Sequence, residues 1–384
     1  MTIDFLSLRD FKCHVALDIQ LAPFTVLTGL NSSGKSSVCH ALALLAQSFR
    51  EPGRQSGNEL LLNGDLVRLG TLGDIQNQTT DNQFFEVSLR DETSEVAWQF
   101  AGDRRNSKAV LHNAESRTLN GTGEKVFSDV SLDGNGEHFV VDILRNLEFL
   151  TTLRSDPAEI ISTIGSDFNN RIGPLGKGAV PILYLNDQTH VSESLRIGNV
   201  PPTLPRQVEA WMRHFFPGFA MEIQPVDSAM DHVTLRIRTE SSGEFHLPSN
   251  VGYGPYYLLP VVVAALTRTP GQLLMLDSPE AHLHPSCQNE VAKFLGLVAA
   301  SGVQVLVETH SDHFVNGTRI AVYEKKIAAE NVILHYFGGL LEDGDAHRHS
   351  TISIDSEGLL DHWPSGFCDQ YETDLSSLTK WSRT

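Results

Sequence analysis

Apolar and polar positions alternate over Ile3–Leu8 and Val15–Ile19, which predicts two half-buried strands. Phe24–Thr28 is a short β-rich run that stops at Gly29. From Ser36 to Phe49 the apolar spacing becomes helical and the residues are good helix formers. The opening therefore reads strand, glycine-rich turn, helix. Residues 51–80 carry Gly and Asn clusters and read as loops. Alternation over Phe84–Phe100, and again around Phe127–Val141, predicts an antiparallel sheet. The polar stretch 102–126 between them reads as a surface loop. Leu144–Leu153 and Arg206–Phe216 have helical spacing, and His232–Arg238 alternates as a strand.

Clear order returns at residue 251. Tyr256–Leu266 predicts a helix, Gln272–Leu276 a buried strand ending at Asp277, and Cys287–Ala300 a helix. Gln304–Glu308 is a second buried strand, and His313–Glu324 a further helix. Continuously apolar strands alternating with helices imply a parallel sheet covered on both faces, so the fold class is α/β. No repeat is visible, and no heptad run is long enough for a coiled-coil arm.

Composition narrows the function classes. The 384 residues are 41% hydrophobic and 20% charged, enough for a sizeable core in two or three lobes. A formal net charge of −18 argues against non-specific coating of nucleic acid, which Lys and Arg would lead. A local basic groove remains compatible with it. Cys13, Cys39, Cys287 and Cys368 form no CxxC pair, so neither a zinc ribbon nor a disulfide scaffold is suggested. The start has no signal-peptide pattern and Leu258–Leu266 is too short to span a bilayer, so a cytoplasmic protein is expected.

Three segments carry chemistry. Gly29-Leu30-Asn31-Ser32-Ser33-Gly34-Lys35-Ser36 fits GxxxxGK[ST] between a strand and a helix. Such a loop curls backbone N–H groups around phosphates at a helix N-terminus. Lys35 is expected to reach the β- and γ-phosphates, and the Ser36 hydroxyl to ligate Mg²⁺. In LLMLDSPEAHLHP (273–285), Asp277 ends a buried strand where ligands sit in open α/β sheets. It reads either as a Mg²⁺ partner opposite Ser36, acting through water, or as a cap of the next helix. In VLVETHSDHF (305–314), His310 follows a second buried strand; it could face a γ-phosphate or attacking water, or be structural. His282 and His284 form an HxH pair, which without further ligands reads as a loop feature.

In this order the motifs resemble the ATPase heads of the SMC/RecF/OLD branch of ABC-type ATPases, in particular compact bacterial members, many of them found in anti-phage defence operons. FKCH and LAPFTVLTGLNSSGKSSVCHAL, LNGDLVRLGTLGDI (62–75), VGYGPYYLLPVVVAAL, LDSPEAHLHP and ETHSDHFVNGTRIAV carry the likeness. IDSEGLLDHWPSGFCDQ (354–370) is similar to that group's WPxGFFD tail, with Cys368 for the second phenylalanine. The likeness covers both ends and leaves 80–245 weakly matched.

The resemblance implies a mixed sheet flanked by helices, with an antiparallel β subdomain and a partly helical insert. Its expected parts are an N-terminal lobe with the P-loop (1–80), an antiparallel part (81–141), a mostly helical insert (142–245) and a C-terminal lobe (246–384). It also implies a head-to-tail homodimer, with ATP on one P-loop closed over by the partner's signature segment. Gly29, Asn31, Ser33, Gly34, Lys35, Ser36 and Ser37 would then bind ATP, with Ser36 and Asp277 on Mg²⁺. Gly252, Gly254 and Tyr256 would form the signature, and Asp277, Glu280 and His310 the catalytic group.

Two departures bear on activity. The signature serine and glutamine positions hold Tyr256 and Tyr257; a lost hydrogen bond to a charged oxygen is worth about 1.5–3 kcal/mol. The glutamate that polarises water in many relatives is Ser278, and loss of a positioned base typically costs about 10²–10⁴-fold in rate. Slow ATP hydrolysis is therefore expected, with Glu280 or Glu308 as substitute bases. The leading expectation is an ATP-dependent dimeric switch or scaffold controlling a separately encoded nuclease or toxin. The alternative is a RecF-like repair ATPase that binds DNA, for which Arg104, Arg105 and Lys108 are the small basic patch available.

Overall fold

The first strand, Phe5–Phe11 (β1), returns as His14–Gln20 (β2) through a two-residue turn at Lys12-Cys13, with Phe11 paired to His14. Lys12 takes φ +53 there, the left-handed backbone that tight hairpin turns require. The computed structural model describes residues 2–50, 58–118, 126–127, 139–164, 171–226, 231–340, 347–364, 366–367 and 370–379. After Phe24–Gly29 (β3) and Lys35–Arg50 (α1) come Glu59–Leu61 (β4), Leu72–Ile75 (α2), Phe84–Arg90 (β5), Ser94–Ala101 (β6), Lys108–Thr118 (β7) and Val126–Phe127 (β8). The middle holds Phe139–Arg145 (α3), Glu148–Leu150 (β9), Ile161–Ser162 (β10), Ala179–Leu185 (α4), Leu204–Phe215 (α5), Ala220–Pro225 (β11) and His232–Arg238 (β12). The last part holds Tyr253–Thr267 (α6), Leu273–Asp277 (β13), Pro285–Ala300 (α7), Gln304–Glu308 (β14), Asp312–Tyr323 (α8), Val332–Leu340 (β15), His347–Ser353 (β16) and Gln370–Thr379 (α9).

The central sheet runs β16-β15-β3-β14-β13-β9 and is parallel except for the antiparallel β15–β16 pair. Its strands alternate between two cores. Phe24, Val26, Leu274, Leu276, Val305 and Val307 join one, and Leu27, Leu273, Met275 and Leu306 the other. Burial on both faces explains why these strands read as continuous apolar runs. Helix α1 is buried almost all round, because it lies in the core shared with the antiparallel sheet β2-β1-β5-β6-β7-β4. A three-stranded sheet, β10-β12-β11, completes the fold.

Several expectations need correction. The polar stretch 102–126 is not one loop: Lys108–Thr118 is an eleven-residue strand whose outward residues are largely exposed, so little apolar alternation marks it. Residues 139–141, expected as strand, begin α3. Leu144–Leu153 is not a helix; α3 ends at Arg145, and Glu148–Leu150 is the edge strand beside β13. The region 142–245 is mixed rather than mostly helical, since it supplies that edge strand and the entire three-stranded sheet. Cys368 lies outside the described residues.

Candidate functional site

The loop between β3 and α1 is shaped by residues that tolerate left-handed backbone. Gly29 has φ +135, and a Cβ there would stand 2.1 Å from the Phe337 carbonyl oxygen on β15. Gly34 has φ +96, and its Cβ would stand 2.4 Å from His14 Nε2. Only glycine fits either place. Ser32 also takes φ +60. Leu30 N–H donates to the Phe337 carbonyl (3.0 Å), and Ser33 Oγ donates to the Leu30 carbonyl (2.6 Å), so the loop is tied to the sheet and to itself.

This loop walls a cavity of about 300 Å³, lined by Asn31 through Ser37 and by Lys12, Cys13, His40, Glu308 and His310. Lys35 Nζ donates to the Gly29 and Leu30 carbonyls, at 3.1 and 2.6 Å, and burial lowers its pKa. Lys12, aimed in by the β1–β2 turn, is pulled down to about 8 by burial and donates to His40 Nδ1 at 2.6 Å. Burial, then the Lys12 charge, brings His40 down to about 4, so the imidazole is neutral and can accept that bond. Two cations, a helix N-terminus and two glycines without room for Cβ make a cradle for a polyphosphate.

The carboxylates sit at the C-terminal ends of neighbouring strands. Asp277 and Glu308 are register partners on β13 and β14. Ser36 Oγ donates to Glu308 Oε1 at 2.8 Å, so its direct side-chain partner is Glu308. The reason is strand order, which puts β14 beside β3 and β13 one strand further out. Burial pushes Glu308 up to about 7; Ser36 opposes the shift, and Asp277 adds to it. Asp277 instead accepts from Ser278 Oγ (2.9 Å) and Thr152 N–H (3.3 Å), so it caps no helix.

Glu280 is 6% exposed, and its Oε1 accepts from Thr309 Oγ1 (2.5 Å) and His310 N–H (3.3 Å). Its Oε2 is buried without a hydrogen-bond partner among the described residues, and burial raises its pKa. His310 lines the cavity, and burial, then the Lys35 charge, lowers its pKa. His284 caps α7 by accepting from Ser286 N–H, and His282 packs on Tyr253 and Tyr257, in keeping with the loop reading of that pair. No group of three or more His, Cys, Asp or Glu able to hold a metal occurs among the described residues.

Gly252 caps the N-terminus of α6, and a Cβ there would meet nothing within 4 Å. The Tyr256 hydroxyl donates to the Asp156 carbonyl at 3.3 Å, and burial raises its pKa. None of residues 252–257 lines the P-loop cavity of the same chain. In the small basic patch, Lys108 pairs with Glu59 at 2.7 Å, which leaves Arg104 and Arg105 on an exposed turn.

Sequence reasoning missed Lys12, Cys13, His40 and Arg154. In the folded chain Lys12 and Cys13 form the tip of the β1–β2 hairpin and line the P-loop cavity, whereas the alternation in sequence stops at Leu8 and resumes at Val15, which leaves the tip unmarked. Arg154 is set by the path of the chain after β9, which carries no local mark.

Comparison with known proteins gives a family described as "AAA domain, putative AbiEii toxin, Type IV TA system" over residues 24–316. A "Protein of unknown function (DUF3696)" family matches residues 327–378. The "Old nuclease" of Escherichia phage P2 is 20% identical over 92% of this chain; the chain spans 65% of that protein's length. Among solved structures, an SMC head bound to the C-winged helix domain of ScpA superimposes with a TM-score of 0.52 at 12% identity, covering 92% of this chain and 98% of that one. A Pyrococcus furiosus SMC head with an extended coiled coil, bound to the C-terminal domain of ScpA, gives 0.50 at 10%, covering 98% and 99%. The fold is that of an SMC-head, ABC-type ATPase domain. No helix among the described residues is long and apolar enough to cross a membrane.

Proposed function

The chain belongs to the AAA-domain family that matches residues 24–316, and on that premise we propose that it is an ATP-binding dimeric switch of the SMC/RecF/OLD type, with slow hydrolysis. The carrying observation is the cavity itself, where a glycine-built loop, Lys35 and Lys12 converge beside the Ser36–Glu308 hydrogen bond. Gly29, Asn31, Ser33, Gly34, Lys35 and Ser37 hold the phosphates. Ser36, with Asp277 and Glu308 nearby, holds Mg²⁺, which when bound neutralises phosphate charge.

Glu280 is the proton acceptor in this reading. Ser278 is unsuited, because its hydroxyl already donates to Asp277. Glu280 has one oxygen fixed by Thr309 and His310 and the other buried without a partner among the described residues, so it can take a proton only from a water that nucleotide binding brings to that oxygen. His310 steadies the transferring group through a ring N–H. The signature residues Gly252, Gly254 and Tyr256 lie outside their own chain's cavity, which supports a role toward a partner's nucleotide in a two-fold dimer. Parts 1–80, 81–141, 142–245 and 246–384 remain our proposed division of labour.

The family name and the Old nuclease likeness support a place in anti-phage defence, with the dimer controlling a separately encoded nuclease or toxin. The net charge of −18 favours a protein partner over DNA. Isothermal titration of Mg·ATP tests the nucleotide reading. Lys12→Ala should bind roughly ten- to a hundredfold more weakly, the worth of one charge-assisted contact. Unchanged affinity would remove Lys12 from the phosphate site.

A further inference from the structure

A second cavity, of about 660 Å³, lies beside the start of α6 and shares no lining residue with the P-loop cavity. Leu153, Ile160, Leu175, Val180, Leu259 and Pro260 give it apolar walls. Its charged lining is Arg154, Lys177 and Asp156, two cations against one carboxylate. Arg154 is only 8% exposed, yet its Nε and Nη1 are buried without hydrogen-bond partners among the described residues. Burial lowers its pKa only to about 10, so the guanidinium is charged at neutral pH, with Asp277, Tyr257 and Glu280 acting on it through space. A buried guanidinium with spare N–H groups is costly to keep unless a partner completes it.

We propose that this cavity is a second ligand site, for an organic anion with an apolar body, met by the charges of Arg154 and Lys177 in its lining. The volume is that of a small-molecule site, and its apolar walls would leave a bare inorganic anion poorly covered. A carboxylate or a phosphate monoester meets the same two cations, while its hydrocarbon part fills the apolar end.

The position gives the site a purpose. Residues 152–156 link the two ends of the machinery, because Thr152 N–H donates to Asp277 and the Asp156 carbonyl accepts from Tyr256. A ligand beside Arg154 therefore touches the segment that joins Asp277 to the first turn of α6. Any change it makes in nucleotide affinity must be matched by an equal effect of nucleotide on its own affinity.

The test titrates octyl phosphate and octanoate into the full chain carrying Lys35→Ala, with inorganic phosphate and octanol as controls. That background keeps the P-loop from supplying the signal, so failure here is separable from failure of the nucleotide reading. Saturable binding of either amphiphile, absent for octanol and inorganic phosphate, is expected, and the better of the two identifies the head group. Arg154→Leu should weaken it roughly ten- to a hundredfold. Ile160→Trp, at a half-exposed wall position where folding is not at stake, should weaken it as well by filling the cavity. The proposal is overturned if neither amphiphile saturates, if the controls bind as well, or if Ile160→Trp leaves binding unchanged. It is also overturned if binding occurs in wild type but vanishes in Lys35→Ala.

Discussion

Lys35→Ala will not bind ATP measurably at concentrations that saturate the wild type. Lys35 is 3% exposed and its ammonium already lies against the Gly29 and Leu30 carbonyls, at the centre of the phosphate cradle. Removing it leaves two carbonyls facing the incoming anion with no cation between them. The loss exceeds that of one surface ion pair, because the site is enclosed and phosphate carries several charges. Lys12 remains, but it stands on the hairpin side, bound to His40, and cannot reach those carbonyls' positions without leaving its partner. Circular dichroism should show an unchanged fold, since α1 keeps its packing. Wild-type affinity in Lys35→Ala would sink the phosphate-cradle reading.

The two buried glutamates should separate in function. Glu280→Gln keeps the volume and the bonds to Thr309 and His310 but cannot take a proton, so steady-state phosphate release should fall about 10²–10⁴-fold with Mg·ATP binding nearly unchanged. The wild type is itself expected to turn over well below the ~10 s⁻¹ typical of enzymes. Glu308→Gln should instead weaken the Mg²⁺ dependence of binding, because Glu308 orients the Ser36 hydroxyl.

Glu308 also leaves a pH signature in the nucleotide-free protein. Its pKa is raised from the usual 4.5 to about 7, so the native state holds a proton that the unfolded chain has released. Its contribution to stability is therefore complete below pH 4.5 and is lost as pH rises through 7, by up to about 3 kcal/mol. Thermal unfolding from pH 5 to 8 should show this fall in the wild type and a flatter profile in Glu308→Gln. Equal profiles, together with a hydrolysis rate unaffected by Glu280→Gln, would contradict both assignments.

How far the sequence could be read follows from burial. Strands β3, β13 and β14 are covered on both faces, so their apolar runs and terminal Gly29, Asp277 and Glu308 stood out. Strand β7 has mostly polar, solvent-facing residues, and nothing in its pattern separates it from a loop. Strand β9 is three buried residues after a short helix, and its short apolar run fits either period. In the site, the phosphate loop was legible because its chemistry is contiguous. The Ser36–Glu308 contact spans 272 positions and depends on which strand lies next to β3, which no local pattern encodes. Arg154 escaped for a similar reason, since only the fold brings the chain after β9 against α6.

Nucleotide is expected to join two chains through the segment Gly252–Tyr257. Tyr256→Asp would set a carboxylate against a partner's γ-phosphate. It sits in the first turn of α6, where negative charge is compatible with the helix dipole, so the fold should survive. Sedimentation velocity on the wild type and on Tyr256→Asp, each with Mg·ADP and with a Mg-bound non-hydrolysable ATP analogue, is the direct measurement. The prediction is a dimer for the wild type with the analogue only, and a monomer for Tyr256→Asp in both nucleotides. A wild type that stays monomeric with saturating analogue, or a Tyr256→Asp chain that dimerises as readily, would contradict it.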